Sequence, residues 1–259
     1  RFLHQLISSQ LDMDRLDYLR RDSFYTGVTE GNIGSARIIK MLNVVDDNLV
    51  VDSKGIYSIE NYLTSRRLMY WQVYLHKTTV AYEKLLINLL KRAKHLANEG
   101  HNLFAPPALH YFLYNHIDRE TFLSREEALT NYELLDDNDI WSSVKVWMSH
   151  EDKILSLLSR SLIERKIFKV EVRNEPIPKE EMTALLGNIA NATGLTPEDA
   201  SYLMSVDTIQ KDMYDINDDH ISILYKDGTI KDITEASEIL NISLLSKKIC
   251  KYYLCYQRI

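Results

Sequence analysis

The stretch Leu11-Asp-Met-Asp-Arg-Leu-Asp-Tyr-Leu-Arg-Arg-Asp-Ser-Phe-Tyr-Thr-Gly27 contains no proline, and no glycine before its last position. Leu11, Leu16 and Leu19 continue an apolar stripe that starts at Leu6 and Ile7, and the period predicts a helix from Gln5 to Asp22 that stops near Thr26 and Gly27. At about 100 degrees per residue, Asp14, Arg15, Tyr18 and Asp22 project within one quadrant of that helix. A carboxylate, a guanidinium, a phenol and a second carboxylate on one face can hold a cation, a phosphate and a sugar ring. The same residue types are common on solvated, salt-bridged faces, and geometry alone leaves both readings open.

Downstream, a loop through Gly31 and Gly34 leads to a short helical pattern from Ser35 to Leu42, with Arg37 early in it. Asn48 to Asp52 and Gly55 to Ser58 flank a turn at Asp52 to Gly55 and predict a small hairpin. From Ile59 to Ala97 there is neither Gly nor Pro, so one long helix is expected. It closes on Lys91, Arg92, Lys94 and His95 before Gly100, cations where the helix dipole favours them. On that helix Arg66, Tyr70, Tyr74 and Lys77 share a face. Two cations so spaced can span a polyphosphate, with aromatic rings walling a nucleotide sugar or base between them. Aromatic residues at this spacing equally suit core packing.

Pro106-Pro107 breaks the pattern, and shorter helices are expected around His110 to Tyr114, Arg125 to Leu135, Ile140 to Met148 and Lys153 to Arg165. At Ile167-Phe-Lys-Val-Glu-Val172 the period changes to alternation, which predicts a strand. A helix from Lys179 to Thr193 stops at Gly194, and Thr196-Pro197 starts another. Ile221 to Tyr225 passes through Asp227-Gly228 to Thr229-Ile-Lys231, a hairpin signal. The expected fold is mainly α, with a helical bundle over residues 1–165 and a smaller α+β region over 166–259 that suits subunit assembly.

With 259 residues, 45% of them hydrophobic and 26% charged, the chain can bury a substantial core. A net charge of -6 argues against nucleic acid or an anionic membrane as the main partner. No apolar run reaches the roughly 20 residues of a membrane helix, and no signal-peptide pattern is present, so a cytoplasmic protein is expected. Cys250 and Cys255 have no Cys or His pair at zinc-ligand spacing beside them and suit a reducing compartment. The opening Arg1-Phe-Leu-His-Gln-Leu-Ile already reads as amphipathic helix without a cap, which suggests a start inside a larger protein.

The Leu11 to Gly27 run resembles the motif around the last metal-binding aspartate of HD-domain phosphohydrolases, specifically the deoxynucleoside triphosphate triphosphohydrolases. Arg66 to Lys77, ending in Tyr-Leu-His-Lys, looks like that family's second substrate-facing helix. Arg160-Ser-Leu-Ile-Glu-Arg-Lys-Ile-Phe-Lys169 resembles its helix-to-strand passage into the C-terminal region. The resemblance implies an HD-type, metal-dependent hydrolase that releases deoxynucleoside and triphosphate from a nucleotide substrate. It implies that Asp14 is the final ligand of an H…HD…D set for Mg, Mn, Fe or Zn. Arg15 and Arg66 then contact phosphates, Tyr18, Asp22, Tyr70 and Tyr74 face the substrate, and Arg37 and Lys77 belong to a phosphate or regulatory nucleotide site. Homo-oligomers are also implied. The chain departs from the pattern in having no His-Asp dipeptide, so by itself it is expected to be inactive. A nucleotide-responsive regulatory or oligomerisation module without catalysis is the alternative.

Overall fold

The helix expected across Gln5 to Asp22 is two helices, α1 (Phe2–Ile7) and α2 (Met13–Thr26). Asp12 makes the break. Its backbone is extended, and its side chain accepts the Arg15 backbone N–H at 2.7 Å, which satisfies a donor that the first turn of α2 leaves open. Gly27, left-handed at φ 72°, ends α2. The computed structural model describes residues 1–211, 214, 220–237 and 249–258.

After α3 (Ser35–Met41), the hairpin comes one strand earlier than the turn signals suggested. Strands β1 (Leu42–Val45) and β2 (Asn48–Asp52) are antiparallel and joined by Asp46 and Asp47. These lie at φ 48° and 58°, the positive pair that a two-residue hairpin turn requires and that Asp tolerates. Ser53–Gly55, expected as the turn, is a 3-10 turn in which Asp52 caps the Lys54 N–H, and it leads into α4 (Ile56–Met69). The single long helix is also corrected. A π-helical turn occupies Tyr70–Tyr74, with the Leu75 N–H bonded back to the Tyr70 carbonyl at 2.7 Å, and α5 starts afresh as Lys77–Asn98. A π turn takes in an extra residue without any local breaker, so the lack of Gly and Pro did not reveal it.

The helical run continues as α6 (Pro107–Tyr114), α7 (Arg119–Ser124), α8 (Glu126–Leu134), α9 (Asp137–Trp147) and α10 (Lys153–Ile163). The remainder mixes β3 (Lys169–Arg173), α11 (Lys179–Thr193), α12 (Pro197–Ala200), β4 (Met204–Lys211), β5 (Ser222–Leu224), β6 (Ile230–Asp232), α13 (Ile233–Ala236) and β7 (Ile249–Tyr256). The protein is mainly α with a smaller α+β C-terminal region, as its periodicity indicated.

One sheet has the order β1-β2-β5-β6, and in it β2 and β5 are parallel, with Val50 opposite Ser222 and Val51 opposite Ile223. β5 and β6 form the expected hairpin. The other sheet runs β3-β7-β4, with Lys169 opposite Tyr256 and Arg173 opposite Tyr252. Cys250 and Cys255 stand five positions apart on β7, roughly 17 Å at strand rise, too far for the disulfide geometry. Burial pushes the Cys255 thiol up to about 11.

The chain forms two compact units, Arg1–His76 with Ile209–Lys251, and Lys77–Thr208 with Tyr252–Ile259. Residue 166 lies inside the second unit. The first has a core of Leu16, Leu19, Ile38, Ile59, Leu63 and Met69 with Ile223 and Ile233, all nearly inaccessible. In the second, Leu85, Leu89, Trp147, Leu155 and Leu158 are buried, and Arg92 bridges Asp152 and Asp199.

Candidate functional site

Within the first unit, α2 and α4 approach closely at Gly31. A Cβ there would lie 2.9 Å from Ser23 Cβ and closer still to the Met69 side chain. This contact brings the polar face of α2 opposite the end of α4 and its π turn. Tyr74 Oη donates a 2.7 Å hydrogen bond to Asp22 Oδ2. The Tyr74 ring meets Tyr18 edge-on at 5.9 Å between centroids and Tyr70 edge-on at 5.4 Å. The Arg66 guanidinium lies over Tyr70, 5.9 Å from the ring centre.

Burial raises the Tyr18 phenol to about 12, helped by the neighbouring Tyr70 phenol and a hydrogen bond with it, and opposed by the nearby Arg66 and Arg15. Both guanidinia therefore act on the same phenol. Tyr74 is also pushed well above the ordinary phenol range, first by burial and then by its bond to the Asp22 carboxylate. These phenols are neutral donors at physiological pH.

Arg66 carries an unmet demand. Its Nε and Nη1 are buried and have no hydrogen-bond partner among the described residues. Buried guanidinium N–H groups are almost always paired, so an acceptor-rich anion is the natural complement. Arg15 differs, because its Nη1 donates to the Asp12 carboxylate and to the Ser9 carbonyl. Asp12, with its side chain 7% exposed, thus serves as both helix cap and counter-ion, a role not recognised from the sequence. The signal was present, since an Asp directly before an apolar-periodic run is an N-cap pattern.

Of the residues singled out from the sequence, Tyr18, Asp22, Arg66, Tyr70 and Tyr74 come together, with Arg15 beside Tyr18. Asp14 is exposed on α2. Arg37 is exposed and its Nη2 donates to the Lys54 carbonyl at 3.2 Å. Lys77 is exposed as the first residue of α5, past the π turn and in the second unit, so the helical spacing expected to join it to Arg66 is not kept. Among the described residues no group of three or more His, Cys, Asp or Glu is placed to hold a metal ion. Asp14 is a single carboxylate, and the described residues do not by themselves fit a divalent cation. No helix of the described residues is long and apolar enough to cross a membrane.

Residues 33–103 match the family model of the HD associated region. The chain is 65% identical to a phosphohydrolase from Bacteroides thetaiotaomicron, whose crystal structure superposes with a TM-score of 0.94 over 100% of this chain and 64% of that one. It is 34% identical to the uncharacterized protein YwfO of Bacillus subtilis, over 98% of this chain and 57% of YwfO. A shorter likeness, 27% over 95 residues, covers 36% of this chain and 18% of the deoxynucleoside triphosphate triphosphohydrolase SAMHD1 homolog of Dictyostelium discoideum. The chain therefore spans less than two thirds of the length of these relatives. Residues 33–103 match an HD-associated region, in a chain that is similar along its whole length to part of a phosphohydrolase.

Proposed function

We propose that this chain forms the substrate-facing wall of an HD-type phosphohydrolase that releases triphosphate from deoxynucleoside triphosphates. The observation that carries the reading is the half-buried Arg66 side chain beside Tyr70, with Nε and Nη1 buried and unpaired among the described residues, in a cluster that also holds Tyr18, Tyr74 and Asp22. Arg66 Nε–H and Nη1–H donate to phosphate oxygens, and Arg15 adds positive charge from the α2 side. The Tyr18, Tyr70 and Tyr74 rings wall the sugar, and Asp22 accepts from a sugar hydroxyl. The chemistry reserved for a bound divalent ion, activation of water and polarisation of a phosphate, needs ligands beyond Asp14. In this reading they come from the part of the longer relatives that the chain does not span. What this chain contributes is binding and orientation, so by itself it does not turn over substrate.

The likeness to a phosphohydrolase supports the hydrolase class, and the short likeness to a triphosphohydrolase supports the nucleotide substrate. The test is triphosphate release from each dNTP by the longest natural form of the protein with added Mg, Mn, Fe or Zn, alongside Asp14→Ala. Release by the parent protein that disappears in Asp14→Ala supports the reading. Release that survives Asp14→Ala removes that residue from the reaction, and no release from any dNTP overturns the substrate.

A further inference from the structure

Three helices of the second unit close on the same backbone motif, in which an N–H bonds to the carbonyl five residues before it. His101 bonds to Leu96 at 3.0 Å, Leu195 to Ala190 at 3.2 Å and Lys166 to Ser161 at 2.9 Å. The residue before each donor is left-handed. It is Gly100 at φ 86° in the first, Gly194 at φ 68° in the second and Arg165 at φ 57° in the third. A side chain in this conformation crowds the backbone, which is why glycine is the usual occupant. At the end of α10 the chain keeps an arginine and carries that strain.

Arg165, itself exposed, lines an open pocket of about 650 Å³ whose other walls are mostly apolar, among them Trp141, Tyr82, Leu162, Ile163 and Ile167. Among the described residues its guanidinium has no hydrogen-bond or ion-pair partner. The adjacent carboxylate, Glu164, is held by Lys166 at 2.6 Å and so is not spent on Arg165. Trp141, 40% exposed, keeps a substantial part of its surface open. A volume of this size, apolar walls with two aromatic rings, and one exposed cation at the edge are the ingredients of a small-molecule site. The left-handed backbone adds a reason, since strain persists where a side chain is needed in one place.

We propose that this cavity binds an aromatic anion, its ring against Trp141 and Tyr82 and its carboxylate or phosphate on Arg165. The site shares no residue with the Arg66 cluster and stands whether or not the hydrolase reading holds. Arg165→Gly isolates it, because that change removes the cation and relieves the backbone at the same time. Titration calorimetry with 1-naphthoate and with 1-naphthyl phosphate distinguishes the two anion types, and 1-naphthol serves as the uncharged control. One-to-one binding of at least one anion, at least tenfold tighter than naphthol, is expected. Arg165→Gly weakens it at least tenfold while the thermal midpoint stays level or rises, and Trp141→Ala weakens it as well. Failure of both anions to bind the parent protein, or equal binding by Arg165→Gly, overturns the proposal.

Discussion

Tyr74 Oη donates to Asp22 Oδ2 at 2.7 Å, joining residues 52 positions apart and tying the π turn that follows α4 to the last turns of α2. Tyr74→Phe removes this donor and leaves a half-buried carboxylate without it. We expect a loss of about 1 kcal/mol in unfolding free energy, the usual worth of such a bond, read from the urea midpoint. In the longest natural form, dNTP affinity falls with it. An unchanged midpoint means that solvent replaces Tyr74 at Asp22.

Arg66 tests binding against stability. Its Nε and Nη1 are buried and unpaired among the described residues, so Arg66→Met deletes an unmet cost and retains much of the packing. The thermal midpoint should hold or rise, while tripolyphosphate affinity drops about tenfold or more, roughly 1.4 kcal/mol. A drop in stability without a drop in affinity assigns Arg66 to packing.

Asp12→Ser keeps a capping oxygen for α2 but releases Arg15 from its counter-ion. The expected cost is about 1 kcal/mol, because Arg15 is only partly buried and water can reach it. Tripolyphosphate then raises the melting temperature of this variant more than that of the parent. Equal shifts in the two proteins indicate that Arg15 does not meet phosphate.

Alkaline pH should destabilise the first unit. The Tyr18 phenol is raised to about 12, above its unfolded value of roughly 10. Its contribution is fully present below the unfolded value and is lost as pH rises through the folded one, because the unfolded chain releases this proton first. Tyr62 and Tyr74 are raised too, by burial in the first place, and act in the same direction. Tyrosinate absorbance of Tyr18 should therefore appear together with unfolding between about pH 10 and 12, and Tyr18→Phe should flatten the decline.

In the second unit, Arg92 donates from Nε and Nη2 to Asp152 at 3.1 and 2.6 Å and from Nη1 to Asp199 at 3.0 Å. Burial alone would raise the Asp152 carboxyl, yet the Arg92 bonds and the Leu155 N–H hold it below its ordinary value. That stability is present above the unfolded carboxylate value of roughly 3.9 and is lost as pH falls through the folded one. Arg92→Ala strands the buried end of this network and should cost about 3–5 kcal/mol by denaturant unfolding at neutral pH. Asp152→Asn should remove part of the acid dependence.

Much of this was legible in the residues themselves. The leucine period placed the α2 face, and Asp22 and Tyr18 do sit on the side that receives Tyr74. Gly27 and Gly194 marked two helix ends because only a few residue types accept a left-handed backbone cheaply. The Asp227-Gly228 turn marked the β5–β6 hairpin for the same reason. Periodicity describes the face of one element and depends on neighbours a few positions away.

The tertiary structure alone decided the rest. The π turn at Tyr70–Tyr74 lies in a run with no breaker, where the Tyr74 ring packs on Tyr18 and its hydroxyl donates to Asp22, and no local pattern encodes that contact. The parallel pairing of β2 with β5 joins strands about 170 positions apart, a match set by packing and not by any turn between them. The same holds for Arg66, whose place in the sequence showed a cation on a helix. Only the packed unit shows two of its nitrogens buried without a partner among the described residues, because burial is a property of what surrounds a residue rather than of the residue itself.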